Sequence, residues 1–371
     1  MMMKPLRFKI ALLLLACLTV ASANAGPKGD FERIIEQEYP ISADGRIEIS
    51  SKYGNVDIET WADLKVKIVV TIKVDARNQE KADEVFDKIN INFSNTASLV
   101  RASTEINTTK SWSRWFGSNS DKFEISYHVF IPESINVDLE NKFGSIFLAS
   151  ITGNAEISLK YGKLRLDGVG GDLVLYMGYS KGSVTSAGDL DLQLSYSNLK
   201  CGDLGDVSID SKYSKFEAGN VGSVHSSSSY DGYDIKKATS VRNVGKYDDM
   251  SFGEVDEISM TTKYSQLDVG KLSDKADLHF KYGGVKINRV MAGFSRIEIE
   301  SDYTGVTMTI DPDAMFSLDA TTKYCGIKYS NLEVYYDVQS NNSGRVKGYR
   351  GAKEGGGVII ANLRYGHFKM Y

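Results

Sequence analysis

The chain has 371 residues, of which 11% are aromatic, 34 are glycine and five are proline, and its formal net charge is −4. The acidic balance argues against a general nucleic-acid binder, because such a protein carries a basic surface. Frequent glycine and tyrosine with little proline is typical of many short strands and turns with few helices, so the composition favours an all-β protein.

The first 25 residues predict a secretory signal peptide. Three basic residues precede a mostly apolar run at 10–20, and the small residues Ala23 and Ala25 offer a cleavage site after Ala25. An alternative is "LLAC" ending at Cys17, which resembles the lipidation box of bacterial lipoproteins. No other apolar run has membrane-spanning length. We therefore expect export to the periplasm, the outer membrane surface or the medium, with no transmembrane span in the mature chain.

Residues 26–140 predict a β-rich entry region that covers the first end of the repeats. The segment "GRIEISSKYGNVDIETW" at 45–61 has a strand, an aromatic residue, a glycine and a second strand, centred on Tyr53. The segment "NQEKADEVFDKINI" begins with Asn78, a good N-cap, and places apolar residues at helical spacing. One short amphipathic helix is therefore expected in this region.

The segment "TTKSWSRWFGSNSDK" at 108–122 is a candidate binding loop. It concentrates Trp112, Arg114, Trp115 and Phe116 among polar residues. Exposed aromatic and arginine side chains suit stacking on a sugar or contact with another protein surface. The alternative is that these rings pack onto the first repeat as part of the cap.

Residues 141–338 contain an aromatic residue that returns at nearly fixed intervals. The positions are Phe143, Tyr161, Tyr179, Tyr196, Tyr213, Tyr230, Tyr247, Tyr264, Tyr282, Tyr303 and Tyr324. Their spacings are 17 or 18 residues up to Tyr282 and 21 residues after it. Units this short cannot bury an apolar face alone, but stacked units can. We expect a parallel β-solenoid of 17–21-residue coils, in which Tyr161 through Tyr282 form a structural ladder of rings that bury area against one another.

Apolar residues keep step with the rings on both sides. Positions six and four residues before the ring, as at Leu173 and Leu175, lie on one face of a strand. Positions three and five residues after it, as at Leu164 and Leu166, lie on one face of a second strand. We expect a corner directly after the ring, and a second corner in the left-handed conformation six residues after it, where Gly202 and its equivalents stand.

Two rows of charged residues are further candidates for chemistry. Asp172, Asp189 and Asp206 lie seven residues before a tyrosine and should stack on the outside. Such carboxylates could act on a sugar or hold calcium, although aspartate in a Gly-Asp turn more often bonds to nearby backbone. A row of lysines directly before the rings could contact anionic polysaccharide, or could simply keep the sheet soluble.

The remaining residues give little sign of catalysis. The four histidines and the cysteines show no metal-ligand spacing, and no nucleophile or phosphate-binding motif occurs. Cys201 is expected to be a buried core residue, about seven coils from Cys325 and beyond disulfide reach. Residues 339–357 predict an irregular polar loop, and Tyr365 with Gly366 predicts a last coil or cap. We therefore expect no cofactor, no metal and no enzymatic activity.

The order of these segments resembles a known family. A leader, "KYGNVDIETW", an excursion ending in "HVFIPESINVDLENKFGSI" and then repeated "KYG" or "KYS" units are similar to the bacterial "putative adhesin" family of β-strand-repeat proteins, an exported domain of unknown function common in Bacteroidetes. The resemblance implies a parallel, right-handed β-solenoid that presents a surface for binding or assembly, with an envelope protein, surface protein or glycan as its partner. An alternative is a polysaccharide-binding or polysaccharide-cleaving β-helix protein that uses the exterior carboxylates.

Overall fold

The computed structural model describes residues 29–107, 122–340, 342–351 and 355–371. Within these ranges the protein has 27 strands in one continuous sheet and one helix, α1 (Gln79–Phe86). The strands are β1 (Gly29–Pro40), β2 (Arg46–Lys52), β3 (Val56–Trp61), β4 (Lys65–Ala76), β5 (Ile89–Asn95), β6 (Leu99–Ile106), β7 (Lys122–Pro132), β8 (Asn136–Lys142), β9 (Ile146–Leu148), β10 (Ala155–Lys160), β11 (Lys163–Leu166), β12 (Leu173–Gly178), β13 (Lys181–Ala187), β14 (Leu190–Ser195), β15 (Asn198–Leu204), β16 (Val207–Lys212), β17 (Lys215–Ser229), β18 (Gly232–Lys246), β19 (Asp249–Lys263), β20 (Gln266–Val290), β21 (Arg296–Ile310), β22 (Phe316–Lys323), β23 (Gly326–Lys328), β24 (Glu333–Gln339), β25 (Ser343–Arg350), β26 (Gly357–Arg364) and β27 (His367–Met370). The all-β prediction is confirmed.

The short helix in the entry region is also confirmed. The Asn78 side chain accepts a hydrogen bond from the backbone N–H of Lys81, as an N-cap should. Ala82, Val85 and Phe86 form its buried face. Around it, β1 pairs antiparallel with β4, and β4 pairs antiparallel with β7.

Strands in the repeats pair in parallel with their equivalents one repeat away. Strand β12 lies between β10 and β14, so that Leu175 is paired with Ile157 on one side and with Leu192 on the other. Strands on the far side of the ring, such as β11 and β13, pair in the same way. The register step between paired residues equals the repeat length, so equivalent side chains are direct neighbours.

The sheet as a whole is mixed, because antiparallel pairs occur at both ends. At the first end β5 pairs antiparallel with β6, in addition to the pairs around β4. At the far end β25 pairs antiparallel with both β22 and β24. Hairpins of this kind occupy the backbone groups that a last parallel strand would otherwise expose.

One continuous apolar core lies inside the sheet. The residues six and four positions before the rings are buried, as at Leu173 and Leu175, and so are Leu164 and Leu166 after the ring. The two inner faces predicted from the sequence are therefore confirmed. The packing changes near Tyr230 and Tyr247, where buried Ser228 and Asn243 replace aliphatic side chains.

The C-terminal segment differs from the expected irregular loop. Residues 343–350 form β25, with Gly344, Val346 and Gly348 facing the core. Two of these core-facing positions are glycine, so an apolar alternation cannot be seen in the sequence. The segment around Tyr365, expected to be a last coil or cap, forms β26 and β27. Strand β26 does not lie at the end of the sheet, because it pairs with β21 on one side and with β22 on the other.

Candidate functional site: an exposed ring ladder

Thirteen aromatic rings form one uninterrupted stack along the protein, which we call the ring ladder. In spatial order its members are Tyr53, Phe143, Tyr161, Tyr179, Tyr196, Tyr213, Tyr230, Tyr247, Tyr264, Tyr282, Tyr303, Tyr365 and Tyr324. Neighbouring ring centroids are 4.6–5.2 Å apart and their planes differ by 3–17°. This offset-parallel arrangement is one of the favourable geometries for aromatic pairs. The distance between neighbouring rings matches the spacing of about 4.8 Å between neighbouring strands. Twelve such steps make the ladder roughly 60 Å long.

Every member of the ring ladder has a left-handed backbone conformation, with φ between 51° and 64°. We expected the corner directly after the ring and a left-handed glycine at the second corner. The second expectation is wrong, because Gly202, Gly253 and Gly270 do not have positive φ. A Cβ atom at any of these three would overlap a carbonyl oxygen of the preceding repeat, so close approach of neighbouring repeats is what requires glycine there.

The rings are half exposed rather than buried. From Phe143 to Tyr324 the exposed fraction lies between 38% and 55%, so the rings bury area against one another, as expected, but only about half of it. Their faces are covered by neighbouring rings, and their outer edges meet solvent. From Tyr161 onward, no ladder hydroxyl hydrogen-bonds to another described residue. From Tyr161 onward the ladder therefore presents a row of phenol hydroxyl groups with no hydrogen-bond partner among the described residues.

Lysines lie on both sides of the rings between Phe143 and Tyr213. Before the rings stand Lys142, Lys160 and Lys212, and after them stand Lys163, Lys181 and Lys215. Some are engaged: the ammonium group of Lys142 is 2.8 Å from Glu140, that of Lys215 is 2.6 Å from Glu217, and that of Lys212 lies over the Tyr213 ring. Of the ten positions directly before these five rings or two residues after them, six are lysine and none is acidic, although the chain as a whole is acidic.

A second polar row occupies the position that follows each ring from Tyr179 to Tyr264. Ser180 donates its backbone N–H to the Ser197 hydroxyl at 3.1 Å, and Ser197 donates to the Ser214 hydroxyl at 3.2 Å. Ser214 then donates to Asp231, and Asp231 donates to Asp248, at 2.7 and 3.0 Å. Each of these four corner N–H groups is thus satisfied by a side chain of the next repeat.

Asp231 and Asp248 are the buried acids of this row. Burial raises the pKa of both carboxyl groups, and that of Asp248 reaches about 6. Hydroxyl donors oppose the shift: Ser211 bonds to Asp231 at 2.7 Å and Ser228 bonds to Asp248 at 2.9 Å. The sequence of these two repeats, "VHSSSSYDGYD" and "VRNVGKYDDM", is unusually polar, and the buried hydrogen-bond network accounts for that composition.

The exterior aspartates lie in a row, as their spacing predicted, and they bond to the backbone. Asp189 accepts the backbone N–H of Asp206 at 2.9 Å, and Asp206 accepts that of Ser223 at 2.7 Å. Asp172 donates its own N–H to the Asn154 side chain at 2.8 Å. One oxygen of Asp189 and one of Asp206 are therefore engaged in joining neighbouring repeats.

The described residues do not include the candidate binding loop (Trp112, Arg114, Trp115 and Phe116), the predicted signal peptide or Cys17. Cys201 and Cys325 are free thiols, and burial raises the pKa of Cys201 to about 12. Among described residues, no group of three or more histidine, cysteine or acidic side chains could hold a metal ion, and no helix has the length and apolarity needed to cross a membrane.

Comparison with known proteins gives remote likenesses only. No protein-family description and no curated protein matches the sequence. Among solved structures, a "putative cell adhesion protein" from Clostridium sporogenes is 8% identical, covering 92% of this chain and 99% of that one, with a TM-score of 0.20. A "putative adhesin" from Parabacteroides merdae is 12% identical, covering 75% and 92%, with a TM-score of 0.29. A "putative lipid binding protein" from Parabacteroides distasonis is 14% identical, covering 75% and 93%, with a TM-score of 0.26. Likenesses this low carry no argument about the function of this chain.

Proposed function

We propose that the protein is a non-enzymatic, exported protein of the cell envelope or surface. Its repeats coil into a parallel β-solenoid, and this rod presents the ring ladder as an adhesin-like binding face. The parallel pairing of β10, β12, β14 and β16 at steps of one repeat supports the solenoid. The binding role is supported by the geometry of the ladder itself.

The single observation that carries the proposal is the row of free hydroxyl groups. A structural corner does not need the hydroxyl group: Phe143 stacks between Tyr53 and Tyr161 without one. Yet the other twelve members of the ladder are tyrosine. Exposed phenols that can both donate and accept hydrogen bonds are well suited to recognising a polar partner.

The test is binding of the purified mature protein, residues 26–371, to an array of bacterial and host glycans. We expect saturable binding that is weakened by Tyr179→Phe/Tyr196→Phe, which preserves the rings and removes two hydroxyl groups. The matched control is Tyr336→Phe/Tyr371→Phe, which changes exposed tyrosines outside the ladder.

Other outcomes would replace the proposal. Loss of binding only in Trp112→Ala/Trp115→Ala would move the binding site to the loop at 108–122. Release of cleaved glycan that disappears in Asp189→Asn would make the protein an enzyme that uses its exterior carboxylates. Equal binding by the ladder variant and wild type would leave the ring ladder a structural feature.

A further inference from the structure

An open groove of about 780 Å³ runs beside the ring ladder between Phe143 and Tyr196. Its lining includes the ladder rings and the side chains two residues beyond them, among them Lys163, Lys181 and Asn198. Small residues directly after the rings, such as Gly162, complete the lining. The groove runs in the stacking direction, so each repeat contributes the same two positions to it.

The groove carries unneutralised positive charge. Lys163 and Lys181 are exposed and are direct partners on the adjacent strands β11 and β13. Like charges placed opposite each other on neighbouring strands repel and destabilise a sheet. Within the described ranges neither ammonium group has an acidic partner. Lys215, farther along the same row, is neutralised by Glu217. Lys163 and Lys181 have no such partner among the described residues, so their ammonium groups are available to bind an anion from outside the protein.

The ring ladder limits what that anion can be. The faces of its rings are covered by one another, so neither a base nor a sugar ring can stack on them. Single-stranded nucleic acids are held largely by such stacking. The accessible groups are the tyrosine hydroxyl groups in one line and the lysine ammonium groups in a second line beside it. Each of the two repeats that carry Lys163 and Lys181 supplies one hydroxyl group and one ammonium group. This combination suits a chain that carries both hydroxyl groups and regularly spaced negative charges.

We infer that the groove binds a linear anionic polysaccharide, lying parallel to the ladder. Lys163 and Lys181 pair with its carboxylate or sulfate groups, and the hydroxyl groups of Tyr161, Tyr179 and Tyr196 bond to its hydroxyl groups. The step of 4.9–5.1 Å between these rings is close to the length of one sugar unit in an extended chain. This inference rests on the proposed function, because it assigns a ligand class to the same binding face.

The experiment measures binding of mature protein to four probes by calorimetry, at low and moderate salt. The probes are alginate, which carries carboxylates, heparin, which carries sulfates, dextran, which is neutral, and single-stranded DNA, a polyanion that is not a glycan. The groove variant is Lys163→Gln/Lys181→Gln. The control is Lys236→Gln/Lys237→Gln, which removes the same charge from exposed lysines six and seven residues beyond a ring.

We expect alginate or heparin to bind, and the preferred one to identify the anionic group. The groove variant should bind it about tenfold more weakly or worse, while the control changes affinity less than about twofold. Relief of the repulsion should leave the melting temperature of the groove variant unchanged or higher.

Four results would overturn the inference. Equal weakening by both lysine pairs, or DNA binding as tight as that of the glycans, would show only general charge attraction. Binding of dextran that falls in Tyr179→Phe/Tyr196→Phe but not in the lysine variant would reject the anionic ligand and keep the proposed function. If no probe binding depends on either the lysines or the tyrosines, both fail.

Discussion

Each ladder residue places a bulky side chain at positive φ. That conformation costs about 1–2 kcal/mol for residues other than glycine, because Cβ approaches the carbonyl oxygen. Stacking with a ring on each side can offset this, since aromatic pairs contribute about 0.5–1.5 kcal/mol beyond their buried area. The stacking energy of the ladder and the strain energy of the corner conformation are therefore coupled, because loss of the ring contacts leaves the strain without compensation.

That coupling can be measured at Tyr213, in the middle of the stack. Tyr213→Ala loses both ring contacts and keeps the backbone strain, so we expect a loss of about 2 kcal/mol in the free energy of unfolding. Tyr213→Gly loses the same contacts and relieves the strain, and should be about 1 kcal/mol less damaging. Tyr213→Phe should stay within about 0.5 kcal/mol of wild type. Urea unfolding tests the order, and an alanine variant as stable as the glycine variant would refute the coupling.

Gly162 tests the close approach of repeats. A Cβ atom there would overlap the carbonyl oxygen of Gly144 in the preceding repeat, which is backbone and cannot rotate away. We expect Gly162→Ala to cost about 2 kcal/mol or more in the free energy of unfolding. Gly326→Ala is the control, because an added Cβ meets open space there. Similar melting temperatures for the two variants would show that neighbouring repeats can separate easily.

Asp248 makes stability depend on pH. Its pKa rises from the usual 3.8 to about 6, so between these values the folded protein binds the proton more tightly than the unfolded chain. The free energy of unfolding therefore falls as pH rises from about 4 to 6, and this contribution is constant above that window.

Asp248→Asn removes the charge and keeps an acceptor for the Asp231 N–H. It should be more stable than wild type by roughly 1 kcal/mol at pH 7.5, allowing for solvent screening, and about equal at pH 4. Thermal unfolding across this range checks the prediction. An advantage of the same size at both pH values would mean that packing, and not charge, separates the two proteins.

At the scale of elements, β26 is an interior strand of the sheet, with a paired strand on each side, and we call it the internal rung. It pairs with β21 through seven residues and with β22 through eight. Its ring, Tyr365, lies 4.6 Å from Tyr303 and 4.8 Å from Tyr324. The spatial order of the last three rings thus differs from their order in the chain.

Truncation after Gly355 would remove this rung. We expect β22 and its hairpin to separate from β21, with loss of amide protection throughout 316–350 while the strands before β20 stay protected. Hydrogen exchange with mass spectrometry measures this directly. The matched control is Tyr365→Phe in the full chain, which keeps the rung. Full protection of β22 in the truncated protein would contradict the pairing.

The sequence predicted these elements unevenly. The spacing of Tyr161 through Tyr282 and the alternating apolar residues beside them gave the strands and the core correctly, because both follow from direct side-chain periodicity. Strand β25 was missed because Gly344 and Gly348 occupy core-facing positions. The left-handed corner at the ring was missed because aromatic residues favour extended strands. The insertion of β26 between β21 and β22 could not be predicted, because the sequence pattern of a strand does not show which strands pair with it.

At the scale of the whole molecule, the proposed solenoid predicts an elongated particle. A compact domain of this length would have a radius of gyration of about 21 Å. The ring ladder alone extends roughly 60 Å. Small-angle scattering of the mature protein should give an asymmetric distance distribution with a tail beyond the diameter of that compact domain. A symmetric distribution confined to that diameter would reject the rod.

The position of β26 also affects the order in which the strands of the sheet can pair during synthesis. A polypeptide that emerges from a ribosome or a translocation channel does so from its N-terminus, so the strands on either side of this rung emerge before it. The two neighbours must therefore wait, with a vacant position between them, until residues 357–364 arrive. This part of the sheet is thereby completed only after all of β22 to β25 has emerged, and a copy terminated before β26 would be left open to proteases.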